Sequence, residues 1–90
     1  MQTLQQAAAL HQQGDLIRAE LLYSAVLRER PDDPAALNLL GVLKLQSARG
    51  AEAAELIGRA VAVQPDYAEA HNNLGLAQRH LGAVSRGANE

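Results

Sequence analysis

The chain has no cysteine, no phenylalanine and no tryptophan, and its only tyrosines are Tyr23 and Tyr67. The lack of cysteine excludes disulfides and thiolate metal sites and leaves the redox compartment open. With so few rings, a core must be built from Ala, Leu, Val and Ile, which makes it shallow and close-packed. No apolar run approaches the ~18 residues of a membrane span. Arg and Lys are scattered, the net charge is −2 and no basic run or aromatic platform occurs, which argues against nucleic acid as a partner. Met1-Gln2-Thr3-Leu4 lacks the basic and then apolar stretches of a secretory leader, so a cytoplasmic location is expected.

Signs of chemistry are equally sparse. There is no Gly-rich phosphate loop. Ser24, Ser47 and Ser85 have no sharp strand-to-helix turn around them, so no nucleophile–base constellation forms. His11, His71 and His80 contain no i, i+4 pair of the kind that puts two metal ligands on one helix face. The expectation is a protein with no catalytic residues, no metal and no cofactor.

What the chain does have is a repeat. Pro31-Asp32-Asp33-Pro34 is followed by Ala35-Ala36-Leu37-Asn38-Leu39-Leu40-Gly41, and 34 residues later Pro65-Asp66-Tyr67-Ala68 is followed by Glu69-Ala70-His71-Asn72-Asn73-Leu74-Gly75. Pro31/Pro65, Asp32/Asp66, Ala36/Ala70, Asn38/Asn72, Leu40/Leu74 and Gly41/Gly75 pair at that offset. A fixed period of this size marks a solenoid, in which each unit buries its apolar face on the next.

Ninety residues allow one domain, and a chain this short buries only roughly 60–65 % of its unfolded surface. Residues 3–13 read as a first helix, with Leu4, Ala7, Ala8 and His11 on one stripe, stopped by Gly14. Asp15 caps a second helix over 16–29, whose inner face is Ala19, Leu22, Tyr23, Val26 and Leu27. Its charges Arg18, Glu20, Arg28 and Glu29 are expected in solvent. Pro31 ends it.

Asp33-Pro34 opens a third helix, apolar nearly all round and therefore packed on more than one side. The turn Ser47–Gly50 ends that helix. A fourth runs over 51–63, with Ala53, Leu56, Ile57, Ala60 and Val61 inward. Asp66 and Glu69 have the spacing of a capping box and start a fifth, over 67–81. Gly82, 68 residues after Gly14, predicts a turn in register, followed by a frayed tail or a truncated sixth helix. Gly41, Gly58 and Gly75 are expected to let helices approach closely.

On this pattern the chain resembles the tetratricopeptide repeat family. Leu-Gly occurs at Leu40-Gly41 and Leu74-Gly75; the small–large–small pattern and closing proline fall on Ala19, Tyr23, Val26 and Pro31, then Ala53, Ile57, Ala60 and Pro65. The family's tryptophan position holds Thr3, Leu37 and His71, which are departures from the pattern. The resemblance implies an all-α, right-handed solenoid of antiparallel helix pairs, about two and a half repeats long. One domain, 1–90, would divide into repeats 1–33 and 34–67 and a partial repeat 68–90.

It also implies a concave groove lined by the first helix of each repeat. Its residues would be Leu4, Ala8, His11 and Gln12; Ala35, Asn38, Val42, Leu45 and Gln46; and Glu69, Asn72, Asn73, Leu76, Arg79 and His80. Asn donors and acceptors beside Leu and Val suit an extended peptide or partner protein. The carboxylate clamp known in the family is not implied: its positions hold Leu4, Ala8, Leu39, Glu69 and Asn73, without basic residues. The wording of residues 65–75 is similar to repeats of O-linked N-acetylglucosamine transferases and their bacterial relatives. In those, an asparagine ladder lines the groove; Asn73 would be a member, but Leu39 and Gln5 stand at the equivalent positions. The alternative functions are thus a substrate-recruiting segment of a larger glycosyltransferase or an oligomerisation module. For the latter, Leu74, Ala77 and Leu81 are expected to form an uncovered face through which a homodimer could pair.

Overall fold

A computed structural model of the chain describes residues 3–89, with side chains described through residue 81. Among the described residues there are five helices and no strand: α1 (Leu4–Gln12), α2 (Leu16–Glu29), α3 (Pro34–Gln46), α4 (Gly50–Val63) and α5 (Ala68–Asn89). Successive helices pack as antiparallel neighbours, and α1, α3 and α5 also touch one another in that order, which is the layering of a helical solenoid.

Local chemistry sets the helix starts. Thr3 and Gln6 close a reciprocal capping box on α1. The Asp15 carboxylate accepts from the Arg18 N–H and the Asp33 carboxylate from the Ala36 N–H, each at 3.2 Å, with Pro34 in the first turn of α3. The expected capping box at Asp66 and Glu69 does not form the start of α5. That helix begins at Ala68, so Tyr67 holds the cap position and its carbonyl accepts the His71 N–H. Tyr67 stands 34 residues after Asp33 but has no carboxylate to cap with.

The two turns inside helix pairs are copies of each other. The Asp15 N–H donates to the Leu10 carbonyl at 2.9 Å and the Arg49 N–H to the Lys44 carbonyl at 2.8 Å, the 6→1 bond of a Schellman turn. Both turns need one left-handed residue: Gly14 (φ 86°) in the first, Ala48 (φ 59°) in the second. Gly82 is next in that register, yet no turn occurs there, and α5 continues through it to Asn89. A glycine inside a helix weakens it without stopping it unless something draws the chain back. After Gly14 and Ala48 the next helix returns with Ala19 and Tyr23 or Ala53 and Ile57 to bury. Residues 83–89 include only Val84 as a larger apolar residue, so a return there has little to bury.

The core lies in two clusters joined by α3. Ala7, Ala19, Tyr23, Leu40 and Leu43 bring α1, α2 and α3 together; Leu37, Ala53, Ile57, Ala60, Ala70 and Ala77 join α3, α4 and α5. Thus α3 is buried on both flanks, as its all-round apolar pattern predicts. Gly41 lets α3 and α4 approach closely: a Cβ there would collide with Ile57 Cγ1 and Cδ1. Gly58 and Gly75 do not serve that purpose, since a Cβ on either would meet open space.

The C-terminal face also differs from expectation. Leu74 and Ala77, one repeat on from Leu40 and Leu43, face backward onto α4; Ala77 is fully buried, Leu74 packs on the same cluster and Leu81 is half-buried. The apolar patch expected to support a homodimer is therefore already covered. The positions equivalent to Leu37, Lys44 and Leu45, which turn toward the following helix, hold His71, Gln78 and Arg79, all exposed. No helix among the described residues is long and apolar enough to cross a membrane.

Candidate ligand groove

Because α1, α3 and α5 lie side by side, their outward edges form one continuous face. Between α1 and α3 it dips into a concavity of about 350 Å³, lined by Ala8, His11, Gln12, Tyr23, Leu39, Val42 and Gln46. His11 anchors its floor. Its Nδ1 lies 2.9 Å from the Tyr23 hydroxyl and its Nε2 2.6 Å from Gln46 Oε1, and the two rings meet edge to face at 5.8 Å. Gln46 Oε1 only accepts, so Nε2–H donates to it, and Nδ1 shares a second hydrogen bond with the Tyr23 hydroxyl. Burial pushes the Tyr23 phenol above its usual range, which keeps it a donor.

Between α3 and α5 the face is polar. Asn38 is completely buried; its Oδ1 accepts from Asn73 Nδ2 at 3.0 Å, and its own amide reaches toward the Tyr67 hydroxyl at 3.5 Å. Burial, then the nearby Glu69 charge, raises the Tyr67 phenol. Asn38 is therefore beneath the groove, holding Asn73, rather than on its surface. Glu69, Asn72, Leu76 and Arg79 are exposed on α5, Leu76 at 45 %. Leu4 and Leu45 are half-buried against the first and second core clusters. His80 lies apart: its ring covers Gly50 at the start of α4, and with Leu81 and Arg49 it borders a separate concavity of about 250 Å³.

The structure thus brings Ala8, His11, Gln12, Val42 and Gln46 into one place and pairs Asn38 with Asn73. It sets Leu4, Leu45 and His80 elsewhere. Two features were missed by periodicity. One is the bond from Tyr23 to His11, since both residues read as stripe positions of separate helices. The other is an ion network away from the groove. Lys44, only 7 % exposed, lies 2.9 Å from both Glu20 and Glu52, and Arg49 lies 2.9 Å from Glu20. Glu20, expected in solvent, instead ties α2 to α3 and to the turn before α4. Its signal was a lysine inside an otherwise apolar helix, which must find a carboxylate when buried. The hydrogen bond from Lys44 holds the Glu20 and Glu52 carboxyls below their usual range. Burial alone would lower Lys44, but its bonds to Glu52 and Glu20 outweigh this and hold its ammonium above the usual value.

A family model described as tetratricopeptide repeat matches residues 10–83. The chain belongs to the tetratricopeptide repeat family. No curated protein matches it significantly. Tetratricopeptide repeats generally mediate interactions between proteins. In this chain, the face described above is formed by α1, α3 and α5, the first helices of the expected repeats, while α2 and α4 pack behind.

Proposed function

We propose that this protein is a non-catalytic interaction module whose concave face receives an extended peptide segment of a partner protein. The observation that carries the reading is the concavity between α1 and α3, continued across α3 to Asn73, Asn72 and Leu76 on α5. Its chemistry suits a backbone laid across the helices. Gln12 and Asn72 are exposed amides able to donate and accept, Gln46 keeps its amide N–H groups free to donate, and Leu39, Val42 and Leu76 keep apolar surface uncovered. The expected repeats, 1–33, 34–67 and the partial 68–90, give each first helix one stretch of ligand to contact. A substrate-recruiting role within a larger glycosyltransferase is a narrower form of this reading and rests on the wording of residues 65–75 alone.

The test is selection of peptides from a random display library on the full chain, followed by affinity measurement. Gln46→Ala with Asn72→Ala should weaken a selected peptide about tenfold or more with little change in melting temperature, since both side chains are exposed. Unchanged affinity in that variant would place the ligand on another face.

A further inference from the structure

The α1–α3 concavity has a property that narrows the ligand: it is free of charge. Helix α1 contains no Asp, Glu, Lys or Arg, and α3 contains only Lys44. Lys44 is buried on the far side of α3 with Glu20 and Glu52 and does not border the concavity. The polar groups at the floor are already engaged with each other, through His11, Tyr23 and Gln46. What is left for a ligand is half-buried Ala8, Leu39 and Val42, rimmed by the uncharged amides of Gln12 and Gln46.

A charged side chain placed here would lose hydration and find no counter-charge. The Gln12 and Gln46 amides at the rim offer it neutral hydrogen-bonding groups only. An apolar side chain would displace water from Ala8, Leu39 and Val42 at no electrostatic cost. The free volume, about 350 Å³, has room for a side chain of leucine or methionine size with some backbone on either side. We infer that this concavity is the anchor subsite of the groove, taking an uncharged apolar side chain of the peptide and discriminating against acidic and basic ones. This rests on the peptide-groove reading and names the ligand class it selects.

Blocked amino acids make direct probes. The Ala8, Leu39 and Val42 methyl resonances of the full chain are followed during titration with N-acetyl-leucine N-methylamide, and separately with the lysine and aspartate analogues. The leucine probe should shift these methyls at least tenfold more effectively than either charged probe. Gln46→Glu puts a carboxylate on the rim and should narrow the gap between the leucine and lysine probes by about tenfold while leaving the aspartate probe the weakest. If that variant melts early, Ala8→Glu supplies the same charge from α1. Equal response to all three probes at Ala8, Leu39 and Val42, or a stronger response to a charged one, overturns the inference. Responses only near Asn72 and Leu76 overturn it too but keep the groove reading. Silence along the whole concave face, from probes and display-selected peptides alike, removes both.

Discussion

Two glycines at the same place in the repeat have opposite surroundings. Gly41 is pressed against Ile57, whereas Gly75 faces open space. Gly41→Ala should therefore cost roughly 1–3 kcal/mol through overpacking. Gly75→Ala should add about 0.5–1 kcal/mol, because alanine loses less entropy in a helix. Urea denaturation of the two variants checks both signs; a destabilised Gly75→Ala would mean that a neighbour lies where the structure shows none. The adjacent asparagines on α5 differ in the same way. Asn73→Ala leaves the buried Asn38 Oδ1 without its donor and should cost about 1–3 kcal/mol, while Asn72→Ala should be near neutral. Equal melting temperatures for the two would show that Asn73 does not support Asn38. The sequence alone treats Asn72 and Asn73 as one polar pair. It could not separate them, because α3 is apolar nearly all round and periodicity does not tell which of its flanks buries Asn38.

At the scale of elements, the starts of α2 and α3 and the turn at Gly14 were legible because local residues determine them: Asp15 and Asp33-Pro34 cap whatever follows, and glycine takes the left-handed backbone at little cost. The end of α5 was not legible, because a turn at Gly82 depends on what the next segment could bury. The facing of Leu74 and Ala77 was misjudged for a different reason. Their periodic spacing marks a stripe but not its partner, and only their register with Leu40 and Leu43 points them back to α4. That α1, α3 and α5 lie side by side was legible from the repeat, but the His11–Tyr23–Gln46 contact was not, since it depends on three helices at once. The second intra-pair turn also carries strain. Ala48 adopts φ 59°, where a Cβ is disfavoured, in the place that Gly14 holds in the first. Ala48→Gly relieves that strain but loosens the unfolded chain, for a net gain of about 0.5–1 kcal/mol. A lower urea midpoint in this variant would contradict the assigned backbone conformation.

At the scale of the whole molecule, charge and the α1–α3 concavity are kept apart. The charged clamp, Glu20–Lys44–Arg49–Glu52, lies off the groove and ties three helices together, and the groove between α1 and α3 is left uncharged. The clamp gives stability a defined pH range. Glu20 and Glu52 are held below their ordinary value of 4.5, so their contribution is full above that pH and is lost as pH falls through the lower folded values. Lys44 is held above its ordinary 10.5, so its contribution is full below that pH and is lost as pH rises through the higher folded value. The clamp's contribution should thus be level between these limits and decline outside them. Lys44→Met should flatten the acid-side decline in the urea midpoint; an unchanged acid slope would show that the clamp does not operate in solution. The groove is the part proposed to meet a partner, and amide chemical-shift mapping of a display-selected peptide on the full chain tests that proposal most directly. The expected result is a continuous set of perturbed amides on α1, α3 and α5, centred on Ala8, Val42 and Asn73, with α2 and the outer face of α4 unmoved. Perturbations centred on Ile17 and Leu21, the exposed apolar pair of α2, would contradict it and place binding on the opposite side of the solenoid.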